Sequence, residues 1–372
     1  MRRRVLFVGG GTAGHVEPAL AVARWLGRHG GDEIVFECEF LGTKSGLERE
    51  LVPRAGFKLN TIPRAPLPRK LSVTALIWPA RFIFSVLKSL SLVKNYDLII
   101  GFGGYVSAPA YLAAWILRVP IIIHEANAKP GWANTLGSHF SKINTVAFKS
   151  AQNVGGNWRD AIVVGMPIRA EIRTVSALGK IEITTLKSKI CSELNLNAGA
   201  PIVFAFGGSQ GSTSMNAAIS GLTNALPKLG LNLIQIVGKA NALPDAVAGF
   251  APLAYATNMN ELYAISDLVI ARSGAVTCAE LMAVGKFALL VPLPIGNGEQ
   301  VANAQDLVAA KQAEICDNSR FTSEWLNSNI SRLLGCAQAL AQTQSGNKNL
   351  EPKSAEQQLG EMALILLAGT KK

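Results

Sequence analysis

Along the chain, short apolar runs rich in Val, Ile, Leu and Phe alternate with longer stretches of helical periodicity. The runs at residues 5–9, 34–41, 97–102, 119–124, 144–148 and 161–165 predict one series of strands. Those at 201–208, 232–238, 252–256, 268–271, 288–293 and 313–316 predict a second. Most are apolar at successive positions and lack the in-and-out alternation of a half-exposed strand. That is the pattern of parallel strands covered by helices on both faces. The break between the series follows Gly165-Met-Pro-Ile-Arg169, where residues 170–200 turn polar and helical. The pattern therefore predicts an α/β protein of two Rossmann-like domains, residues 1–168 and 169–350. A last apolar helix at about 355–367 is expected to pack back on the first. A cleft between two such domains, with their parallel sheets facing across it, is a natural place for a ligand.

Composition agrees with two well-filled cores. Of 372 residues 49% are hydrophobic, only 16% are charged, and 35 are Gly. That excludes disorder and suits many tight strand-to-helix turns. The start, Met1-Arg-Arg-Arg, runs straight into a strand, so no signal peptide is expected. Residues 98–117 are uncharged but interrupted by Gly101, Gly103, Gly104, Ser107 and Pro109. They read as strand, turn and helix, and no transmembrane helix is predicted. Five scattered Cys form no C-x-x-C pair and there are four His, so reduced thiols and no metal site are expected.

Charge changes the picture locally. The net charge of +11 comes mostly from residues 1–165, with twenty Lys/Arg against ten Asp/Glu. From Leu51 to Tyr96 there is no acid, yet eight bases are interleaved with Leu, Ile, Trp and Phe. A basic, aromatic-bearing amphipathic stretch suits an anionic lipid surface, and Trp78, Arg81, Phe82, Phe84 and Lys88 are the candidate membrane-facing residues. The plain alternative is a core helix with solvated bases. Nucleic acid fits less well, because the aromatics cluster with aliphatics and not with the bases.

Three predicted strands end in glycine-rich turns: Gly9-Gly-Gly-Thr-Ala-Gly-His15, Gly101-Phe-Gly-Gly-Tyr-Val-Ser-Ala-Pro109 and Phe206-Gly-Gly-Ser-Gln-Gly-Ser212. Each exposes backbone N–H groups at a helix start, where an anion is stabilised. One such turn means little; three over two domains imply a diphosphate or several phosphate-bearing ligands. The first turn also matches G-x-G-x-x-G, which would suggest NAD. The acid that should bind ribose is poorly placed, since Glu37 and Glu39 lie within the second strand. His15, at a helix start predicted near Pro18, is instead a candidate general base; alternatively it faces solvent. A fourth motif, Ala271-Arg-Ser-Gly-Ala-Val-Thr-Cys-Ala-Glu280, precedes Gln300-x-x-Asn303. Its helix start can hold a phosphate, and Glu280 could accept ribose hydroxyls; outside this motif it would read as a solvent-facing helix acid. Asn127 in His124-Glu-Ala-Asn127 and Arg169 at the domain junction are candidates for a sugar hydroxyl and a diphosphate.

In this order, from about residue 5 to 306, these motifs resemble the MurG family of GT-B glycosyltransferases. The resemblance implies transfer of GlcNAc from UDP-GlcNAc to the 4-hydroxyl of MurNAc in lipid I. The product would be lipid II for peptidoglycan synthesis, made with inversion and without a required cofactor or metal. It implies donor contacts from Thr12, Ala13, Gly14, Asn127, Arg169, Ser209, Ala256, Gln300 and the run Ala275, Val276, Thr277, Cys278, Ala279 and Glu280. His15 would be catalytic, and Gly103, Gly104 and Tyr105 would lie on the acceptor side. The partners implied are UDP-GlcNAc, lipid I and an anionic membrane, at the cytoplasmic face of the cell membrane, with no nucleic acid. The chain departs from the family pattern at Ala13, Ala126, Met166 and Ile168. Other readings are a different lipid-directed GT-B transferase, a UDP-GlcNAc 2-epimerase, an NAD-dependent oxidoreductase or a non-catalytic scaffold.

Overall fold

The computed structural model of the chain describes residues 2–30, 34–65, 73–208, 211–294, 298–344 and 353–369. The chain forms two compact units, residues 1–168 with 351–372 and residues 169–350. The first unit runs β1 (Arg2–Gly9), α1 (Ala13–His29), β2 (Val35–Gly42), α2 (Glu48–Arg54), β3 (Lys58–Thr61), α3 (Val73–Val93), β4 (Leu98–Gly103), α4 (Ser107–Ile116), β5 (Ile121–Glu125), α5 (Trp132–Gly137), β6 (Ile143–Val146) and β7 (Ile162–Val163). The second runs α6 (Ala170–Arg173), α7 (Lys180–Glu193), β8 (Ile202–Phe206), α8 (Thr213–Ser220), α9 (Leu226–Leu229), β9 (Asn232–Ile236), β10 (Phe250–Leu253), α10 (Met259–Ile265), β11 (Leu268–Ala271), α11 (Ala275–Val284), β12 (Ala288–Leu290), α12 (Glu299–Ala309), β13 (Ala313–Ile315) and α13 (Ser323–Gln344). α14 (Ala355–Gly369) then returns to the first unit.

The first sheet has the order β3-β2-β1-β4-β5-β6-β7, the second β10-β9-β8-β11-β12-β13. Every pairing between these strands is parallel. Their apolar successive positions are explained by the two covered faces. In β1, Val5 and Phe7 enter a core with α1 and α14, while Leu6 and Val8 enter another with α4. All four are fully buried, and each contributes roughly 1.5–3 kcal/mol. In β8, Val203 and Ala205 pack toward α8 and α13, and Phe204 meets Tyr263 of α10 edge-on at 5.8 Å.

Three elements differ from the sequence reading. β3 was not predicted: Lys-Leu-Asn-Thr is short and polar, and it forms the outermost strand. β10 lies at Phe250–Leu253 rather than at 252–256. α1 begins at Ala13, not near Pro18, so the amides of Ala13, Gly14 and His15 are themselves a helix start. Residues 98–117 form β4, a turn and α4. α3 is long and apolar enough, by length and composition alone, to cross a membrane over Leu76–Val93. One of its faces is nevertheless packed. Ser85 and Ser89 are buried, the Ser85 hydroxyl donates to the Pro63 carbonyl at 3.0 Å, and the helix lies along α4.

Candidate active site

In a doubly wound sheet, ligands bind outside the carboxyl ends of the strands where the winding reverses. In the first unit that point lies between β1 and β4, which carry the turns at Gly9–His15 and Gly101–Pro109. The two turns touch. A Cβ on Gly104 would fall 2.5 Å from the Gly10 carbonyl oxygen, and Gly104 holds φ +95°, so only glycine fits there. A cavity of about 120 Å³ opens beside them, lined by Gly10, Gly11, Thr43, Arg64 and Tyr105 among others.

His15, in the first turn of α1, has its Nδ1 3.0 Å from the Gly10 carbonyl oxygen. A carbonyl only accepts, so Nδ1 carries a proton, and in the neutral ring Nε2 keeps the lone pair. Thr12 Oγ1 lies 3.3 Å from the same nitrogen. The Gly11 amide, on the other side of that peptide, donates to Glu48 Oε2 at 2.9 Å. Glu48 is fully buried. Its Oε1 accepts from the Thr43 amide and hydroxyl, both at 2.8 Å. Gly10, Gly42 and Gly46 crowd this carboxylate so closely that a Cβ on any of them would collide with it. Burial alone would raise the Glu48 pKa, but the bonds from Gly11 and Thr43 outweigh it and the net shift is downward. Nothing in the sequence marked this residue.

The Asn127 motif lies after β5. Glu125 Oε1 accepts from the Asn127 amide at 2.9 Å and from its Nδ2 at 3.3 Å. Its Oε2 accepts from the Gly131 amide at 3.1 Å and Asn134 Nδ2 at 2.9 Å. Asn127 is thus held, half-buried, at a strand end. His124 faces inward: it is fully buried, its Nδ1 bonds Thr145 Oγ1 at 3.0 Å, and burial draws its pKa down to about 3. Ala126, Met166 and Ile168, the departures in this region, are buried.

In the second unit the winding reverses between β8 and β11. A cavity of about 410 Å³ there is lined by Gly207, Gly208, Ser212, Arg272, Thr277 and Gln300 among others. Arg272 is nearly buried and ties three loops together. Its Nη1 donates to the Val291 and Pro292 carbonyls at 2.9 and 3.2 Å, and its Nη2 to Ser212 and Ser214 Oγ at 2.7 and 2.9 Å. Gln300 Oε1 accepts from the Leu293 amide at 2.9 Å. α11 starts at Ala275, so Ala275, Val276 and Thr277 are its first amides, with Thr277 on the cavity. Ala279 is half-buried on the next turn. The Cys278 side chain is fully buried in the core, where burial raises its pKa, and its amide already donates to the Gly274 carbonyl at 2.9 Å, so the α11 start offers a ligand the amides before it. Glu280 Oε1 lies 3.3 Å from Arg169 Nη2, and its Oε2 accepts from the buried Tyr263 hydroxyl at 3.0 Å. Ala256 is half-buried in the loop after β10. Ser209 lies outside the described residues, as does any account of the Ala13 side chain.

The candidate membrane face is placed differently from the sequence reading. Arg81, Phe84 and Lys88 are exposed. Trp78 and Phe82 stack on each other at 5.0 Å and are half-buried, with the Trp78 indole N–H donating to the Ala65 carbonyl at 3.3 Å. The exposed apolar set is Leu76, Ile77, Ile83, Phe84 and Leu87. For a nicotinamide dinucleotide, a ribose-binding acid is needed at the end of β2. Glu39 instead sits mid-strand, opposite Leu6, with the Tyr96 hydroxyl at 2.6 Å and Asn60 Nδ2 at 2.8 Å on its Oε2.

Two parallel-sheet units, each with glycine turns where its winding reverses, are the two Rossmann-like halves of the GT-B fold. Residues 5–144 match the glycosyltransferase family 28 N-terminal domain and residues 202–359 its C-terminal domain. The chain belongs to glycosyltransferase family 28. It is 41% identical over 333 residues to a protein of Corynebacterium efficiens, covering 89% of this chain and 88% of that one. A protein of Paenarthrobacter aurescens is 38% identical over 368 residues, covering 97% and 95%. Both are named UDP-N-acetylglucosamine–N-acetylmuramyl-(pentapeptide) pyrophosphoryl-undecaprenol N-acetylglucosamine transferase. The crystal structure of Acinetobacter baumannii MurG has a TM-score of 0.72 at 27% identity, covering 98% of this chain and 99% of that one. A UDP-GlcNAc 2-epimerase from Neisseria meningitidis shares the fold, with a TM-score of 0.62 at 14% identity over all of both chains.

Proposed function

We propose that this glycosyltransferase moves GlcNAc from UDP-GlcNAc to the 4-hydroxyl of the MurNAc of lipid I, with inversion, to give lipid II. The observation that carries the mechanism is the Nδ1–Gly10 bond, which leaves Nε2 of His15 as a lone pair at the winding reversal of the first sheet. Nε2 removes the acceptor proton as that oxygen attacks the anomeric carbon from the face opposite UDP. The departing diphosphate gains charge, which the α11 amides and Arg169 stabilise. With those groups present, no metal ion is required. In the donor complex Glu280 turns to the ribose, Gln300 and Asn127 hold sugar hydroxyls, and Thr12, Ala13 and Gly14 approach the diphosphate side of the sugar. Ser209 and the backbone at Ala256 complete the nucleotide contacts.

The acceptor keeps its prenyl chain in the bilayer. The acid-free stretch and the exposed apolar set on α3 support a peripheral seat on the cytoplasmic face of an anionic membrane. Transfer of radiolabel from UDP-GlcNAc to lipid I tests the reading, and His15→Ala should lower kcat at least a hundredfold. Near-normal turnover in that variant would end the role given to His15. Isomerisation of UDP-GlcNAc without acceptor would favour an epimerase.

A further inference from the structure

A second cavity in the first unit, about 480 Å³ in volume, adjoins the smaller cavity beside Gly10 and Gly11. Lys44 and Ser45 reach it from the loop after β2, Thr61 from the end of β3, Arg64 from the segment after β3, and Lys88 from α3. It shares Thr43, Ser45 and Arg64 with the smaller cavity beside Gly10 and Gly11. All three bases are exposed, and among the described residues no acidic side chain lines the cavity. Among the described residues none of the three enters an ion pair. Glu48, bonded to the lining residue Thr43, is shut inside its own cage of glycines. Two of the bases are steadied by rings: the Arg64 guanidinium lies 5.3 Å from the Tyr105 ring centroid, and Lys88 Nζ 5.7 Å from that of Phe84.

Three cations outside any described ion pair, with the Ser45 and Thr61 hydroxyls, converge from three separate segments and form a pocket for a compact, multiply charged anion. We infer that this cavity binds the pyrophosphate of the lipid-linked acceptor. The inference rests on the proposed reaction. An acceptor of that kind carries its reacting hydroxyl and its phosphate on opposite sides of one sugar ring, which suits two cavities with a common wall. Lys88 stands next to the exposed Leu87, where the prenyl chain would leave toward lipid.

The bases could instead read phosphate headgroups of the bilayer, so the test removes the bilayer. Kinetics are measured with a water-soluble acceptor bearing a short prenyl pyrophosphate, without vesicles or detergent. Lys44→Ala, Arg64→Ala and Lys88→Ala should each raise the acceptor KM roughly threefold to tenfold, and the triple variant more, with the donor KM unchanged. Lys94→Ala, an equal charge change elsewhere in the acid-free stretch, should leave the acceptor KM unchanged. With a methyl MurNAc-pentapeptide glycoside lacking pyrophosphate, wild type and triple variant should perform alike. An unchanged acceptor KM in the triple variant, with vesicle binding lost, assigns the bases to the membrane and overturns the inference. A raised donor KM would assign them to the nucleotide and overturn it equally. Failure of the wild type to use any pyrophosphoryl acceptor would defeat the proposed reaction itself.

Discussion

Glu48 and His15 grip the two ends of one peptide group, the carboxylate on the Gly11 N–H and the imidazole on the Gly10 carbonyl. A carboxylate on the N–H polarises the peptide and strengthens its carbonyl as an acceptor. Glu48 is therefore a positioning residue that pins the Nδ1–H tautomer of His15. Glu48→Gln should lower kcat about tenfold with the donor KM nearly unchanged, and add nothing on a His15→Ala background. In nitrogen-15 NMR the His15 ring should lose its single tautomer; a spectrum like the wild type's would refute the link. Deeper in the same unit, His124 makes stability depend on pH. Its folded pKa, near 3, lies below the unfolded value of about 6.5, so only the unfolded state takes up a proton between them. The contribution of neutral His124 is complete above about 6.5 and is lost as pH falls toward 3. Urea titrations should show about 2 kcal/mol of this loss at pH 5, and His124→Asn should lack it. The motif around His15 was legible because glycine turns and an imidazole stand together in the sequence. Glu48 was not, because Leu-Glu-Arg-Glu reads as an ordinary solvated helix until β2 and the first turn close over it.

α3 is an amphipathic helix turned inside out: Ser85, Ser89 and Val93 face the protein, while Leu76, Ile83 and Leu87 face outward. Leu76 is 85% exposed. Such a stripe, with Arg81 beside it, is the geometry of a helix lying in a lipid interface. Changing Leu76, Ile83 and Leu87 to Ser should reduce co-sedimentation with anionic vesicles more than tenfold, while Trp78→Ser should act mainly on stability. Unchanged sedimentation of the triple variant would remove α3 from the membrane contact. Composition revealed this helix as basic and aromatic, but not which side it shows. That depends on where Pro63 and Ala65 lie, and the edge strand that positions them is four polar-leaning residues with no strand signal. The buried strands were legible because two covered faces leave long apolar runs, as the split of Val5 and Phe7 from Leu6 and Val8 shows.

At the scale of the whole molecule, the first unit is discontinuous in sequence: the chain leaves it near Ile168 and comes back as α14. Leu359, Ala363 and Leu367 are fully buried in the core that α1 shares, Gly360 lets the backbone approach Trp25, and Arg3 Nη2 donates to the Leu367 carbonyl at 3.0 Å. Deleting residues 353–372 removes at least two buried leucines, about 3–6 kcal/mol by area. Calorimetry should then show the first unit melting well below the second; coincident transitions would contradict this. The two-domain plan was legible from the restart of strands after residue 200, whereas the partners of α14 were not, because its apolar face fits many surfaces. The discontinuity also orders biogenesis. A ribosome delivers every strand of the first sheet early, yet the helix that covers α1 emerges only after the second unit has been made. The nascent first unit thus carries an uncovered apolar flank through most of translation, a natural stretch for a chaperone to guard.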